Sequence, residues 1–586
     1  MSRNAEIATL FEEFADLLEA DGVEYKPRAY RRAAENIYDY PIAIEELASE
    51  GQDAVERIDG VGDALSSKVI EYVETGKIAE LSALREELPV QIVELTTVEG
   101  VGPKTVGTLY RELGVQTLDD LERVATEGKI RELSGFGQKT EQNILDNLEF
   151  AKQAGERELL GHARSVADEV LDYLRSIDAV EACEVAGSIR RWRETIGDVD
   201  VLAASDDLQA TIDALGAWPR VDAVIEAGEN KSSVRARGMR IDLRVVEPGE
   251  FGSALQYFTG SRDHNVALRN RAIERGLKMN EYGVFDVRDV AESDRAGQRS
   301  GERVAGETEE SMYEVLDLPW MPPEIREDTG EIAAAEAGTL PTLLERADVR
   351  GDLHTHTSWS DGNNSIEELV AAAEAFGHEY LCISDHATGP GMVGGVGVED
   401  DELLEQLEEI ERIDAAVEID VFAGVEANVD AEGEISVRDD VLEALDLVVA
   451  SPHSALDQGY DEATDRLVAA VSNPHVDVLG HPTGRLLNRR QGLEFSIRDV
   501  AAAAAASGTA LEVNANPHRL DLNGGMVRAS IEEGATIAIN TDAHSPTEFE
   551  HVRFGVHTAR RGWAERSDVL NAWAVEDVRA FLEVAD

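Results

Sequence analysis

The chain is predicted to be multidomain: an all-α helical N-terminal region, an α+β middle, and a C-terminal seven-stranded (β/α) barrel. Three observations carry this. Three Gly-x-Gly turns punctuate a helical stretch over residues 4–150, a Gly-Ser turn and spaced Asp residues mark strands between 187 and 246, and seven apolar runs after residue 350 end in ligand-type side chains. At 586 residues there is room for three or four domains.

Composition narrows the class. The formal net charge is −64, from 118 Asp and Glu against 54 Lys and Arg, and it is spread along the chain. Lys is scarce, with nine residues and none after Lys278. A dispersed acidic surface suits high intracellular salt, where the Debye length falls to about 3 Å at 1 M and self-repulsion is muted. A protein adapted to high intracellular salt is expected. Acidity then reports on the solvent and does not exclude nucleic acid; local basic residues decide. Apolar periodicity nearly throughout argues against an acidic disordered chain. Cys183 and Cys382 lie far apart, which fits a reducing cytoplasm. No signal pattern and no apolar run of roughly 20 residues is visible, so a soluble cytoplasmic protein with no membrane partner is expected.

In the N-terminal region the turns are Gly60-Val61-Gly62, Gly100-Val101-Gly102 and Gly135-Phe136-Gly137, with Lys68, Lys104 and Lys139 just beyond them. A glycine hairpin that exposes backbone N–H groups at a helix start binds phosphate without reading sequence. One such turn is an ordinary helix C-cap. Three, with Lys26 and Lys77 also nearby, point to nucleic-acid backbone contact. Lys68 lies inside the helix after its turn, where either phosphate pairing or, if desolvated, a Schiff base with a sugar aldehyde is open.

The middle segment reads GSIRRWRETIGDVDVL at 187–202 and RIDLRVV at 240–246. Strand side chains alternate, so Asp198 and Asp200 share a face, and Asp242 sits on an expected neighbouring strand. Three converging carboxylates beside a Gly-Ser turn suit a two-metal phosphoryl- or nucleotidyl-transfer site. Spaced acids are common by chance in so acidic a chain; the turn, the Arg pair and Asp242 set these apart.

After residue 350 the runs RGDLHTH, YLCISDH, VFAGVE, LVVASPH, VDVLGH, ALEVNAN and TIAINTDAH recur about every 30 residues with helical segments between, and 11 of the 13 His fall in this region. Seven strand-then-helix units predict a parallel barrel with its site at the strand C-termini. The expected ligands are His354, His356, Asp361, His386, Glu426, His453, His481, Asp542 and His544. Mixed imidazole and carboxylate donors suit zinc, manganese or iron, in two or three ions.

Over residues 5 to about 328, the order and spacing of these segments, with YFTGSRDHN at 257–265, NEY at 280–282 and LPWMPPEIRE at 318–327, resemble the family X DNA polymerases, the group including DNA polymerase beta. The resemblance implies a helix-hairpin-helix region and a nucleotidyltransferase palm and thumb. Asp198 and Asp200 would hold both Mg²⁺ ions and Asp242 one of them. Gly187, Ser188, Arg191 and Gly197 would hold the triphosphate, Tyr257 and Phe258 would pack against the sugar, Asn265 would reach the base, and Gly260 and Ser261 would also contact the nucleotide. Arg244, Arg269 and Glu281 would align and close the site. Lys68 would stand at a 5′-deoxyribose-phosphate lyase position, with Lys26 and Tyr30 in the 5′-phosphate pocket; Ala64 replaces a second lysine there.

The C-terminal motifs resemble the polymerase and histidinol phosphatase (PHP) domain, with all nine ligand positions present; His378, His475, His518, His551 and His557 match none. Fusion to a family X polymerase implies 3′→5′ exonuclease and other 3′-end phosphoesterase work by metal-assisted hydrolysis, with Arg485 as a phosphate contact. The expected divisions are 1–85, 86–152, 153–255, 256–328, a linker at 329–345 and the PHP domain at 346–586. The expected partners are gapped or nicked duplex DNA with 5′-phosphate ends and deoxynucleoside triphosphates, and the expected state a monomer. A PHP-type phosphatase with vestigial front domains, an RNA or template-independent nucleotidyltransferase, and a non-enzymatic DNA-end scaffold are the competing readings.

Overall fold

The computed structural model describes residues 4–23, 26–38, 44–58, 60–96, 98, 100–154, 157–291, 297–389 and 397–584. They form two compact units: Met1–Glu156 with Arg485–Gln491 and His544–Glu548, and the remainder from Arg157.

The first unit is helical. Helices Asn4–Ala20 and Lys26–Tyr38 pack together, with Tyr30 set against Phe11 and Phe14 at ring-centroid distances of 5.4 and 4.4 Å. One apolar core runs from Ile7 to Leu148, so residues on both sides of the 85/86 division pack as one body. The three glycine turns share one geometry. Gly60, Gly100 and Gly135 have φ of 72°, 81° and 91°, which a side chain would strain. The middle residue of each, Val61, Val101 or Phe136, donates its N–H to the carbonyl three residues back. The second glycine then precedes helix Asp63–Thr75, Pro103–Leu113 or Gln138–Ala154.

The second unit begins with a five-stranded sheet in the order Ala182–Val185, Val199–Ala204, Met239–Val246, Lys231–Ala236, Val221–Ala227. Its parallel pair sets Asp200 directly beside Asp242; the other pairings are antiparallel. Helices Leu160–Arg175 and Leu208–Gly216 pack on it. Next come helices Phe251–Thr259 and Arg262–Glu274 and the antiparallel strands Leu277–Asn280, Gly283–Asp286 and Glu302–Ala305. The stretch expected as a linker, 329–345, holds helix Glu331–Ala337, whose buried Glu331 pairs with buried His264 at 2.6 Å.

All seven expected barrel strands form: Gly351–Asp352, Tyr380–Ile383, Asp420–Asn428, Leu447–Ser451, Val478–Leu479, Ala510–Asn514 and Ile537–Asn540, parallel and in sequence order. A parallel bridge between Thr355 and Ala543 joins the ends into a nearly closed barrel. No described helix is long and apolar enough to cross a membrane.

Candidate metal centres

The first centre stands at the end of the parallel strand pair. Asp198, Asp200 and Asp242 each offer an oxygen within 4.8 Å of the others. Gly187 explains the turn beside them: its φ is 57°, and a Cβ there would fall 2.0 Å from Asp200 Oδ2, so only glycine lets the carboxylate approach. Burial first, then Asp198 and Asp242, push Asp200 up to about 7. Burial would raise Asp242 too, but hydrogen bonds from Arg240 and Ser233 hold it below its usual range, and Arg240 Nε lies 3.0 Å from Asp242 Oδ1. Three carboxylates crowded within 4.8 Å, one of them held near neutral, fit a divalent cation. Arg240 was missed in the sequence, although its place two residues before Asp242 puts both on one face.

A cleft lined by Asp200, Lys231, Asp242, Arg244 and Phe258 opens beside them. The Arg244 guanidinium lies over the Phe258 ring at 4.6 Å, and Tyr257 meets Phe258 edge-on at 5.1 Å. Asn265 is largely buried: it donates to the Tyr257 carbonyl at 2.7 Å and accepts from Gln256 at 2.8 Å. Ser261 caps helix Arg262–Glu274, and Gly260, with φ of 72°, precedes it. Arg269 donates to the Asn265 carbonyl at 3.3 Å, and the Glu281 carbonyl accepts from Ser253 at 3.1 Å. Ser188 lies in the short helix Gly187–Arg190, and Gly197 beside Arg157. Arg191 Nε reaches Glu327 at 3.2 Å, and its Nη1 donates to the Thr259 carbonyl. Arg190 and Arg326 both pair with buried Glu309, at 2.7 and 2.6 Å.

The second centre fills the mouth of the barrel around Glu426. This buried carboxylate lies 3.5 Å from His354, 3.8 Å from His356, 2.5 Å from His386, 3.3 Å from His453 and 3.0 Å from His481. Asp542 lies 3.0 Å from His356 Nε2, and Asp361 3.6 Å from His386 Nε2. The donors form overlapping groups: His354, His356 and Asp542; His356, Asp361 and His386; His386, Glu426 and His453. His481 touches Glu426 but joins none of them. His544, two residues past Asp542, starts the short segment counted with the first unit, as does Arg485.

Burial would raise Glu426, yet the imidazoles, His386 foremost, hold it well below the carboxylate range. Burial would lower His354, yet Glu512, Glu426 and Asp542 hold it well above the usual imidazole range. His354 Nε2 and Glu426 Oε2 are buried and make no well-aligned hydrogen bond, so both face inward as donor atoms open to a cation. The site fits two or three cations. Behind it, Glu512 accepts from His354 Nδ1 at 2.8 Å and Asn428 meets His453 Nδ1 at 2.7 Å. Neither supporting residue was singled out in the sequence, although both alternate along their strands with residues that face the core.

In the first unit, Lys68 Nζ lies 2.8 Å from Glu80 with the side chain 14% exposed. Tyr30, expected in a phosphate pocket, keeps its ring in the core. Lys26, Lys104 and Lys139 are exposed.

Comparison with known proteins agrees with this geometry. Family models match at residues 2–78 (helix-hairpin-helix domain), 92–149 (SAM-like helix-hairpin-helix tandem), 254–327 (DNA polymerase beta thumb) and 352–516 (PHP domain). The chain is 36% identical to the DNA polymerase/3′-5′ exonuclease PolX of Bacillus subtilis over 99% of both chains. It is 26% identical to rat DNA polymerase lambda over 55% of this chain and 56% of that one. It is also 32% identical to a probable phosphatase of Caldanaerobacter subterraneus, over 33% of this chain and 75% of that one. An end-to-end match at 36% identity, together with the thumb and PHP family models, shows that the chain belongs to the PHP-bearing family X DNA polymerases.

Proposed function

We propose that this protein fills short gaps in DNA by template-directed nucleotidyl transfer at Asp198, Asp200 and Asp242, and trims 3′ ends by phosphodiester hydrolysis at the barrel site. One observation carries the reading: a single chain holds two donor sets of different chemistry, an all-carboxylate cluster beside a phosphate-type turn and an imidazole-rich cluster in a barrel mouth. The carboxylate set suits Mg²⁺; the mixed set suits two or three Mn²⁺, Zn²⁺ or Fe ions. At both, a bound divalent cation supplies activation of the attacking oxygen and neutralisation of phosphate charge.

The chain's own residues do the positioning. Gly187 lets Asp200 close on the turn, and Arg240 holds one oxygen of Asp242 so that the carboxylate keeps its orientation. Ser188, Arg191 and Gly197 take the triphosphate, with Gly260 and Ser261 at its edge; Tyr257 and Phe258 face the sugar, and Asn265 the base. In the barrel, Glu512 and Asn428 fix the rings of His354 and His453 by their Nδ1 atoms. The glycine turns at Gly60–Gly62, Gly100–Gly102 and Gly135–Gly137, with Lys26, Lys104 and Lys139, hold the DNA backbone. Lys68 is the Schiff-base residue of a 5′-deoxyribose-phosphate lyase. The protein acts as a cytoplasmic monomer in concentrated salt, a setting that the net charge of −64 favours.

Paired variants test the assignment. Asp198→Ala with Asp200→Ala abolishes gap filling and leaves 3′ trimming; His354→Ala with His356→Ala does the reverse. Full polymerase activity in the first double variant overturns it. The likeness of one third of the chain to a probable phosphatase supports phosphomonoester hydrolysis as a second reading of the barrel site, read as phosphate release from a 3′-phosphorylated primer.

A further inference from the structure

The segment just after the Gly187–Ser188 turn is gripped by the barrel. Helix Val552–Arg561 lays His557 flat on Trp192, ring centroids 3.6 Å apart and 7° from parallel, with Phe554 edge-on to the same indole at 6.0 Å. Trp192 has φ of 53°, a left-handed backbone that a bulky residue keeps only when its surroundings enforce it. Arg561 Nη1 donates to the Arg191 carbonyl at 2.7 Å and to Glu327 Oε1 at 3.2 Å. The same Glu327 oxygen accepts from Arg191 Nε at 3.2 Å, while Arg191 Nη1 donates to the Thr259 carbonyl. The three side chains are 14%, 19% and 13% exposed, for Arg191, Glu327 and Arg561. None of the gripping residues is a barrel metal ligand, so hydrolysis in the barrel gives no reason for them.

We propose that helix Val552–Arg561 is a positioning element for the polymerase reaction: through Arg561, Glu327 and the His557–Trp192 stack it holds the Arg191 guanidinium ready for a triphosphate oxygen. The proposal rests on the reading of Arg191 as a triphosphate ligand. An untethered arginine gives up its rotamer freedom when substrate arrives. Tied at Nε and Nη1, Arg191 has lost that freedom beforehand and keeps Nη2 for the phosphate, so the tether strengthens nucleotide binding. The contact serves ground state and transition state alike, so its loss appears in KM more than in kcat. On this view the barrel is part of the polymerase site as well as a second active site.

The test is steady-state single-nucleotide gap filling by the full chain, with 3′ trimming measured on the same preparations. Arg191→Ala raises the KM for the deoxynucleotide by tenfold or more. Glu327→Ala and Arg561→Ala each raise it about tenfold, the scale of one charge-assisted hydrogen bond in a partly solvated site, with kcat within about threefold of wild type. Glu327→Gln, which keeps an acceptor oxygen, falls between. The double variant is no worse than the poorer single one, because both act through one guanidinium. Trimming stays at the wild-type rate, which shows an intact barrel. If Arg191→Ala leaves KM unchanged, the reading of Arg191 fails and the proposal with it. If Arg191→Ala raises KM but Glu327→Ala and Arg561→Ala do not, the reading stands and the tether is refuted. Should Arg561→Ala lose trimming as well, Glu327→Ala decides alone, since Glu327 lies outside the barrel.

Discussion

Replacing Gly187 by alanine tests the polymerase centre at its tightest point. The added Cβ would meet Asp200 Oδ2 at 2.0 Å and its Cγ at 3.0 Å, on a backbone with φ of 57°. Ordinary non-bonded contact requires the carboxylate to retreat by more than about 1 Å. A misplacement of that size at reacting groups costs on the order of 100-fold in rate. The left-handed backbone adds a stability cost of about 1 kcal/mol. Gly238, in the neighbouring hairpin with φ of 79° and no atom within 4 Å of where a Cβ would stand, isolates that second cost. Gly238→Ala is therefore expected to lower stability by about 1 kcal/mol and leave gap filling near wild type. Gly187→Ala is expected to lose at least as much stability and to fill gaps about 100-fold more slowly, with 3′ trimming intact. A Gly187→Ala rate within threefold of the Gly238→Ala rate would refute the claim that this turn positions Asp200.

Four further outcomes are expected. Glu512→Ala frees the His354 ring and weakens metal retention by about 10- to 100-fold; unchanged metal content after dialysis against a chelator counts against it. His378, packed against Phe376 and Phe549, is pushed down to about 4 by burial and then by Arg346. That is below the unfolded value of about 6.5, so its stabilisation is whole above pH 6.5 and drains away as pH falls toward 4. At pH 4.5 the loss is about 2.5 kcal/mol, and His378→Phe should reduce the acid sensitivity of unfolding by that amount; an equal drop in both proteins rejects the assignment. Borohydride trapping on an incised abasic site labels wild type and not Lys68→Ala, and equal labelling removes Lys68 as the lyase residue. In molar KCl, where generic phosphate binding is weakened, gaps carrying a 5′-phosphate bind more tightly than those without, and equal affinity contradicts phosphate recognition.

Much of the fold was legible because its signals are local. The seven barrel strands were found from apolar runs ending in ligands, and all seven form where those runs lie. The glycine turns were visible because a positive φ leaves a mark in residue type. The packing of the expected linker, 329–345, was not legible, because Glu331 is buried against His264, 67 residues earlier, and such a contact leaves no local mark. Tyr30 was placed by resemblance in a pocket, while its ring lies among Phe11 and Phe14.

By itself the sequence determined which side chains are available and how neighbours share a face: Asp198 with Asp200, and a ligand-type side chain at the end of each apolar run. It could do so because strand and turn geometry is set within a few residues. Only the tertiary structure decided that Asp200 lies beside Asp242, that five imidazoles converge on Glu426, and that Arg561 and Glu327 reach Arg191. Those partners are tens to hundreds of residues apart. Strand register and packing bring them together, and neither leaves a periodic trace in the chain.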